Sequence, residues 1–337
     1  MLSVNQVIPD FEVKDIYENV INNEVLTGKY TILFFFPNTF KPTCTKECEI
    51  ISEYYEEFKK ICAEDFLLIG VADVSNEELK KFVEENKFKG IYISDQKKEL
   101  SNKFVITVEK NKIKRSTFIL DRWTRIRHSY YDIVKEDLEN HLKNLKESFK
   151  LIVKSDNSLD SNIEIRRSKR GYLDKKLDEE KIYKLFEAAH LAPSCFNNQP
   201  WKYILISDEK ILEEIYENIP EGNYWIKYAP TIVAVYSNKE DDCDLSNGRE
   251  YFMFDTGMSV GLLMIQAAKM GILTHAIAGF KPKKIKKILD IPEKSVLITL
   301  ISIGYPGSSE KLSEDHKKTE KSPRDRKDLS TVLKIYK

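Results

Sequence analysis

Two thiols, Cys44 and Cys48, stand four residues apart just past a loop punctuated by Pro37 and Pro42. Downstream, Ile50, Tyr54, Phe58 and Ile61 recur at helical spacing, so Cys44 opens a predicted amphipathic helix. The N–H groups of a first helical turn lack carbonyl partners, and with the macrodipole they stabilise an anion. A depressed pKa, and hence a nucleophilic thiolate, is the expectation for Cys44. Cys44 and Cys48 share a helical face, and a bond between them requires that turn to unwind. Away from such a setting a free cysteine is most often a small buried hydrophobe.

A second set of chemical groups lies in the other half of the chain. Arg166, Arg167, Ser168 and Arg170 crowd a few residues, and guanidinium forks with a hydroxyl suit phosphate oxygens. The segment 192–201, Ala-Pro-Ser-Cys-Phe-Asn-Asn-Gln-Pro-Trp, holds amides in a proline-bounded loop. Such amides can meet the edges of a heteroaromatic ring, or satisfy one another in an Asx turn. His128, His141, His190, His275 and His316 have no metal-ligand spacing, so no metal is expected. Cys62 and Cys243 have no nearby partner in sequence, and Cys195 reads as a packed thiol.

The elements that position these groups follow from periodicity. Residues 31–36 form a short apolar run ended by prolines, an inner strand. Predicted next are a strand at 65–74, a helix at 77–87 and a strand at 90–94. A hairpin pairs 115–121 with 125–131, and a helix follows at 136–149. Strands with helices on both faces give an α/β unit. The polar stretch 154–162 reads as a linker or exposed loop, so the domains are placed at 1–152 and 163–337, with 153–162 between them. In the second domain a helix lies within 177–191, a strand at 202–207, and a long helix at 249–270. That last helix is apolar nearly all round and is expected to be buried on every side.

Length and composition set bounds on function. At 337 residues the chain exceeds one ordinary core and suits two domains. Lys+Arg and Asp+Glu both total 54, which removes any global electrostatic case for nucleic acid or a membrane surface. The basic segment 281–287 is interrupted by apolar residues and reads as a solvated helix face. No stretch has the length of a membrane span, and residues 1–6 lack a basic region followed by an apolar core. Five cysteines, an odd number, fit a reducing compartment, and a cytoplasmic protein is expected.

Residues 37–47 resemble the active-site loop of the peroxiredoxins of the bacterioferritin-comigratory type, in which Pro-x-x-x-Thr-x-x-Cys precedes Thr-x-Glu. Residues 115–121, Arg-Ser-Thr-Phe-Ile-Leu-Asp, are similar to that family's later strand, and the likeness covers about the first 150 residues. The resemblance implies a thioredoxin-like fold, Cys44 as peroxidatic nucleophile, Pro37 as its shield and Arg115 as the group stabilising thiolate and peroxide. Lys41 stands where the family has Thr or Ser, so either Thr39 or Thr43 supplies the hydroxyl or peroxide reduction is impaired. Cys48, one residue closer than the usual resolving cysteine, is the candidate resolving thiol.

The second half resembles the nitroreductase family of FMN enzymes. The likeness rests on Arg166-Arg167-Ser168 with Arg170, on the 192–201 loop, on the long apolar helix and on a late strand at 299–306. It implies an α+β fold, FMN and NAD(P)H as cofactor and reductant, and a homodimer with FMN between subunits. By position, Arg166, Arg167, Ser168, Arg170, Arg324 and Arg326 would serve the FMN phosphate and nearby polar atoms. Asn197, Ala278 and Gly279 would lie by the ring. Together the two resemblances imply an NAD(P)H-dependent FMN oxidoreductase coupled to cysteine-based reduction of hydroperoxides. The alternative is a nitroreductase, or a quinone or flavin reductase, carrying an independent or inactive peroxiredoxin-like sensing or docking module.

Overall fold

A computed structural model describes residues 1–110, 112–243, 245 and 248–336. It divides into two compact units, Met1–Leu159 and Asp160–Lys337.

The first unit is built on strand β1 (Tyr30–Phe36), every residue of which is buried. Because successive strand side chains alternate, Ile32, Phe34 and Phe36 enter one core while Leu33 and Phe35 enter another. A strand covered on both faces reads as a continuous apolar run rather than an alternating one, which explains Thr-Ile-Leu-Phe-Phe-Phe. With β2 (Phe66–Ala72), β3 (Ile91–Ser94), β4 (Ser116–Leu120) and β5 (Ile126–Tyr130) it forms a sheet of order β3-β2-β1-β4-β5. The β1–β2 and β2–β3 pairs are parallel, and β4 and β5 are antiparallel additions. Helices α1 (Pro42–Ile61), α2 (Asn76–Asn86) and α3 (Leu138–Asp156) all contribute to the Phe34 core. This mixed sheet between covered faces is a thioredoxin-like architecture.

The expected linker at 153–162 is largely helical. Helix α3 continues to Asp156 because Val153, inside that stretch, is buried in the first core. A short helix, α4 (Ser161–Ile165), then begins behind Asp160, whose side chain caps it by accepting the Asn162 N–H.

The second unit holds β6 (Trp201–Ile206), β7 (Thr231–Ser237), β8 (Leu273–Ile277) and β9 (Val296–Gly304), all antiparallel, in the order β6-β7-β9-β8. One face packs Ile232, Ala234 and Leu300 against Trp225, Ile285 and helix α6 (Glu209–Tyr216). The other packs Val233, Val235 and Ile301 against α5 (Glu179–His190) and α7 (Phe252–Lys269). Within one copy α7 exposes Met253, Phe254 and Leu262 while Phe252, Leu263 and Ala267 are buried, so burial on every side is not met by the single chain. No helix among the described residues is long and apolar enough to cross a membrane.

Candidate functional site

The end of β1 feeds directly into the first turn of α1. Pro37 and Asn38 are half-buried, Phe40 is held in the left-handed region at φ 50°, and Lys41 is the exposed N-cap residue. Pro42 occupies the first helical turn, where its missing N–H costs nothing. Cys44, in that turn, is 2 % exposed, and Glu47 and Cys48 are completely buried one turn on.

Arg115, immediately before β4, reaches this turn. Its Nη2 donates to the Cys44 sulfur at 3.1 Å, and its Nε donates to the Glu47 carboxylate. The second Glu47 oxygen, Oε1, is buried without a partner. The Asn38 backbone also favours the Cys44 thiolate. Beyond Arg115, the Thr117 hydroxyl pairs with His141 Nε2 at 3.1 Å, and burial pushes His141 down to about 4, so it is neutral at physiological pH.

The thiol pKa of Cys44 is raised, not depressed as the helix start alone implied. Burial is the largest cause, because it penalises the thiolate. Arg115 and the Asn38 backbone oppose it, while Glu47 adds to it. Glu47 is itself pushed up to about 7 by burial, against the pull of Arg115. Cys48 is raised well above the ordinary thiol value by burial. Both cysteines are reduced. At i and i+4 their Cβ atoms are about 5–6 Å apart in a regular helix, and a disulfide needs about 3.5–4.5 Å. The helix therefore has to open before they can join. Thr39 is engaged with the Glu78 carboxylate, which leaves Thr43 the more available hydroxyl beside Cys44.

In the second unit, Arg166, Arg167, Ser168, Arg324 and Arg326 come together although some 160 residues separate the two groups. Arg324 Nη2 donates to the carbonyls of Ile163, Glu164 and Arg166 at 3.2, 2.8 and 2.6 Å, tying the chain end to the start of the unit. Arg166 donates to Ser168 Oγ at 3.3 Å, Arg167 to the Ser322 carbonyl at 2.9 Å, and Arg326 to the Asp325 carbonyl at 2.6 Å. These partners are neutral. Burial, and then Arg324, Arg326 and Arg167, lower the Arg166 pKa. Gathered cations without a carboxylate among those partners fit a polyvalent anion such as a phosphate monoester. Arg166 and Arg167 line a cavity of about 140 Å3 with Ala268, Gly271 and Thr274.

Arg170 is placed differently from its neighbours. It pairs with Glu320 at 3.3 Å and lies over the Trp225 ring, so its charge is already compensated. Trp225 is a core residue, stacked on His275.

Asn197 does not join the arginines. It lies in an exposed loop where Phe196, Asn197 and Gln199 all have positive φ, and its carbonyl accepts from Gln199 Nε2 at 3.0 Å. The adjacent cavity, about 440 Å3, is lined by Ser194, Cys195, Arg249, Asp255 and Met258 among others. Met258 and Ala268 mark the two cavities on α7, ten residues apart, which is about 15 Å along a helix axis. Ala278 and Gly279 follow the far end of β8, whose first residues line the arginine cavity. The Gly279 carbonyl accepts from Asn223 Nδ2 at 3.1 Å, and a Cβ there would meet that nitrogen at 2.6 Å.

Cys195 and Cys243 were expected to be separate thiols. They form a disulfide across 48 residues, with Cα atoms 5.9 Å apart. No spacing rule finds such a pair, since the contact is made by tertiary structure. Asp255, a lone acid in an apolar helix, was the available signal: it is 1 % exposed, its Oδ2 accepts the Cys195 N–H at 3.0 Å, and its Oδ1 is buried without a partner. Glu47, three residues after Cys44 on the same helical face, was legible in the same way.

Family models agree with this division. The AhpC/TSA family matches residues 4–129, and the nitroreductase family matches residues 163–223 and 220–305. An Archaeoglobus fulgidus protein named as an NADH dehydrogenase/NAD(P)H nitroreductase is 28 % identical over 42 % of this chain and 81 % of its own length. Peroxiredoxin Bcp of Bacillus subtilis is 29 % identical over 43 % of this chain and 96 % of its own. FMN reductase [NAD(P)H] of Bacillus subtilis is 25 % identical over 42 % of this chain and 62 % of its own. Both families are oxidoreductases, and the chain is an AhpC/TSA-family, peroxiredoxin-type domain followed by a nitroreductase-family domain.

Proposed function

We propose that the protein couples NAD(P)H oxidation at an FMN site in the second unit to hydroperoxide reduction at Cys44. The observation that carries this is the presence in one chain of a cysteine held by Arg115 and a cluster of arginines whose bonds go to neutral groups. FMN, when bound, supplies a two-electron carrier between NAD(P)H and an acceptor. Arg166, Arg167, Ser168, Arg324 and Arg326 would hold its phosphate, with Arg170 behind them, and Asn197, Ala278 and Gly279 would border its ring. Since Asn197 and the arginines of one chain lie toward opposite ends of α7, the site is completed by the Asn197 loop of a second copy. The exposed Met253, Phe254 and Leu262 of α7 are the surface for that homodimer. The similarity to a protein named FMN reductase [NAD(P)H] supports the cofactor choice.

At the first site Arg115 favours the Cys44 thiolate and is itself held by Glu47. Sulfur attacks the distal peroxide oxygen, an S–O bond forms as O–O breaks, and the leaving oxygen takes a proton to become an alcohol or water. Cys48 then attacks the Cys44 sulfenic acid, releasing water as the disulfide forms, after the first turns of α1 unwind. Pro37 limits solvent at the sulfur, and Lys41 stands at the mouth. The cytoplasmic location belongs to the same proposal.

A second reading keeps the flavin site and makes quinones or nitroaromatics the acceptors, the first unit being a sensing or docking module. The raised Cys44 thiol and the lysine at position 41 favour it. Steady-state NAD(P)H oxidation by the FMN-loaded protein separates the two. Hydroperoxide-driven turnover abolished by Cys44→Ser supports coupling. Turnover with menadione alone, unchanged by Cys44→Ser, supports the second reading.

A further inference from the structure

We propose that Cys195 and Cys243 form a reversible redox pair that accepts electrons at the flavin site and delivers them to disulfide acceptors by thiol–disulfide exchange. This rests on the flavin reading of the second unit.

Cys195 lines the cavity of about 440 Å3 and lies two residues before Asn197, the residue proposed to border the ring. Cys195 is half-buried and Cys243 is 5 % exposed, so one sulfur is available for attack while the other is protected. That asymmetry suits a dithiol carrier, in which an accessible thiol attacks and a sheltered one resolves. Asp255 supplies a second observation. Its Oδ2 already holds the Cys195 N–H, and its buried Oδ1, unpartnered in this oxidised state, is available to accept a hydrogen bond from the S–H that reduction creates. A disulfide in a reducing compartment is, as a rule, transient and catalytic or redox-sensing. The loop between Cys195 and Trp201 also carries three non-glycine residues in left-handed conformations, a pattern found where chain geometry serves function.

The chemistry balances with reagents already named. NAD(P)H and a proton give two electrons and two protons in all: the Cys195–Cys243 bond breaks, both sulfurs become thiols, and NAD(P)+ is released. The Cys195 thiolate then attacks an acceptor disulfide, forming a mixed disulfide and expelling one thiolate. Cys243 attacks the Cys195 sulfur, which restores the Cys195–Cys243 bond and releases the second thiol. With an oxidised Cys44–Cys48 pair as acceptor, the products are the two thiols that begin the peroxide cycle.

The test uses the full-length, FMN-loaded protein under anaerobic conditions, with NADH or NADPH added, an acidic N-ethylmaleimide quench and peptide mass mapping. Expected is a Cys195–Cys243 linked peptide before addition and two alkylated peptides after it. In Cys195→Ser/Cys243→Ser protein of equal flavin content, NAD(P)H-dependent reduction of Ellman's reagent is expected to fall at least tenfold. A flavin that bleaches while the linked peptide persists overturns the proposal and leaves the flavin reading intact. Protein that binds no FMN, or whose flavin does not bleach, overturns both. If the double variant does not fold, the wild-type mapping decides alone.

Discussion

The guanidinium of Arg115 joins two groups on one helix: Nη2 lies 3.1 Å from the Cys44 sulfur while Nε is bound to the buried carboxylate of Glu47. A guanidinium shared between a thiol and a buried carboxyl group is positioned by the second while it acts on the first. The three side chains form one hydrogen-bonded unit, so the protonation of Cys44 depends on Arg115 and Glu47 together.

Arg115→Met is expected to remove the stabilisation of the thiolate and to leave Glu47 buried without its cation. Breaking a buried pair from one side costs about 3–5 kcal/mol. Urea denaturation should show a loss of that order, and the alkylation rate of Cys44 against pH should shift to higher pH. Arg115→Lys, keeping the charge but not the fork, should recover part of the stability and less of the rate.

Glu47 gives a pH signature. Its folded value of about 7 lies above the ordinary 4.5, so the folded state holds the proton more tightly than the unfolded one. Its contribution is therefore full below about pH 4.5 and is lost as pH rises toward 7, a change of roughly 3 kcal/mol for a shift of that size. His141, pushed down to about 4 from 6.5, has the opposite slope across much of the same window. The wild-type profile is thus flattened, and the difference between wild type and Glu47→Gln isolates the carboxyl term. A difference curve that is level from pH 4.5 to 7 would contradict the buried, strained ionisation of Glu47.

Lys41 places a cation at the N-terminus of α1 without a side-chain cap. Lys41→Thr introduces a capping hydroxyl and removes an unfavourable charge–dipole contact, and should stabilise the first unit by about 0.5–2 kcal/mol. The same hydroxyl stands beside Cys44, so the hydroperoxide rate should rise. Denaturant midpoints and single-turnover peroxide kinetics read the two effects separately.

How much of this was legible in the chain differs between the two units. Residues 31–36 announced an inner strand because a strand covered on both faces must be apolar throughout, and β1 is that strand. The hairpin at Arg122–Thr124 followed from local alternation. Local pattern does not mark β7, one of the two inner strands of the second sheet, although all but Tyr236 of its residues are buried. Burial was the quantity that local pattern could not give. It inverted the shift at Cys44, where the helix start argued for a lowered pKa. It also let two cysteines 48 residues apart meet. Arg166, Arg167, Ser168 and Arg170 stand out as a local basic cluster, whereas Arg324 and Arg326 join them only through the resemblance to the nitroreductase family. The separation of Asn197 from them along α7 was not legible, since it depends on which side of a buried helix each loop emerges.

Phe254 tests the second unit. It is exposed on α7 in the single chain, and Phe254→Asp should convert a dimer to a monomer in sedimentation measurements while weakening FMN binding at least tenfold. A variant that stays dimeric and holds FMN as tightly as wild type would place the interface elsewhere.

The most direct measurement follows electrons from the flavin site to the first cysteine. Protein loaded with FMN is reduced anaerobically with NAD(P)H, freed of excess reductant, and mixed in stopped flow with a hydroperoxide. Expected is reoxidation of the flavin as peroxide is consumed, in wild type but not in Cys44→Ser. A flavin that stays reduced in the wild type, or that is reoxidised equally fast in Cys44→Ser, would contradict the coupling of the two sites.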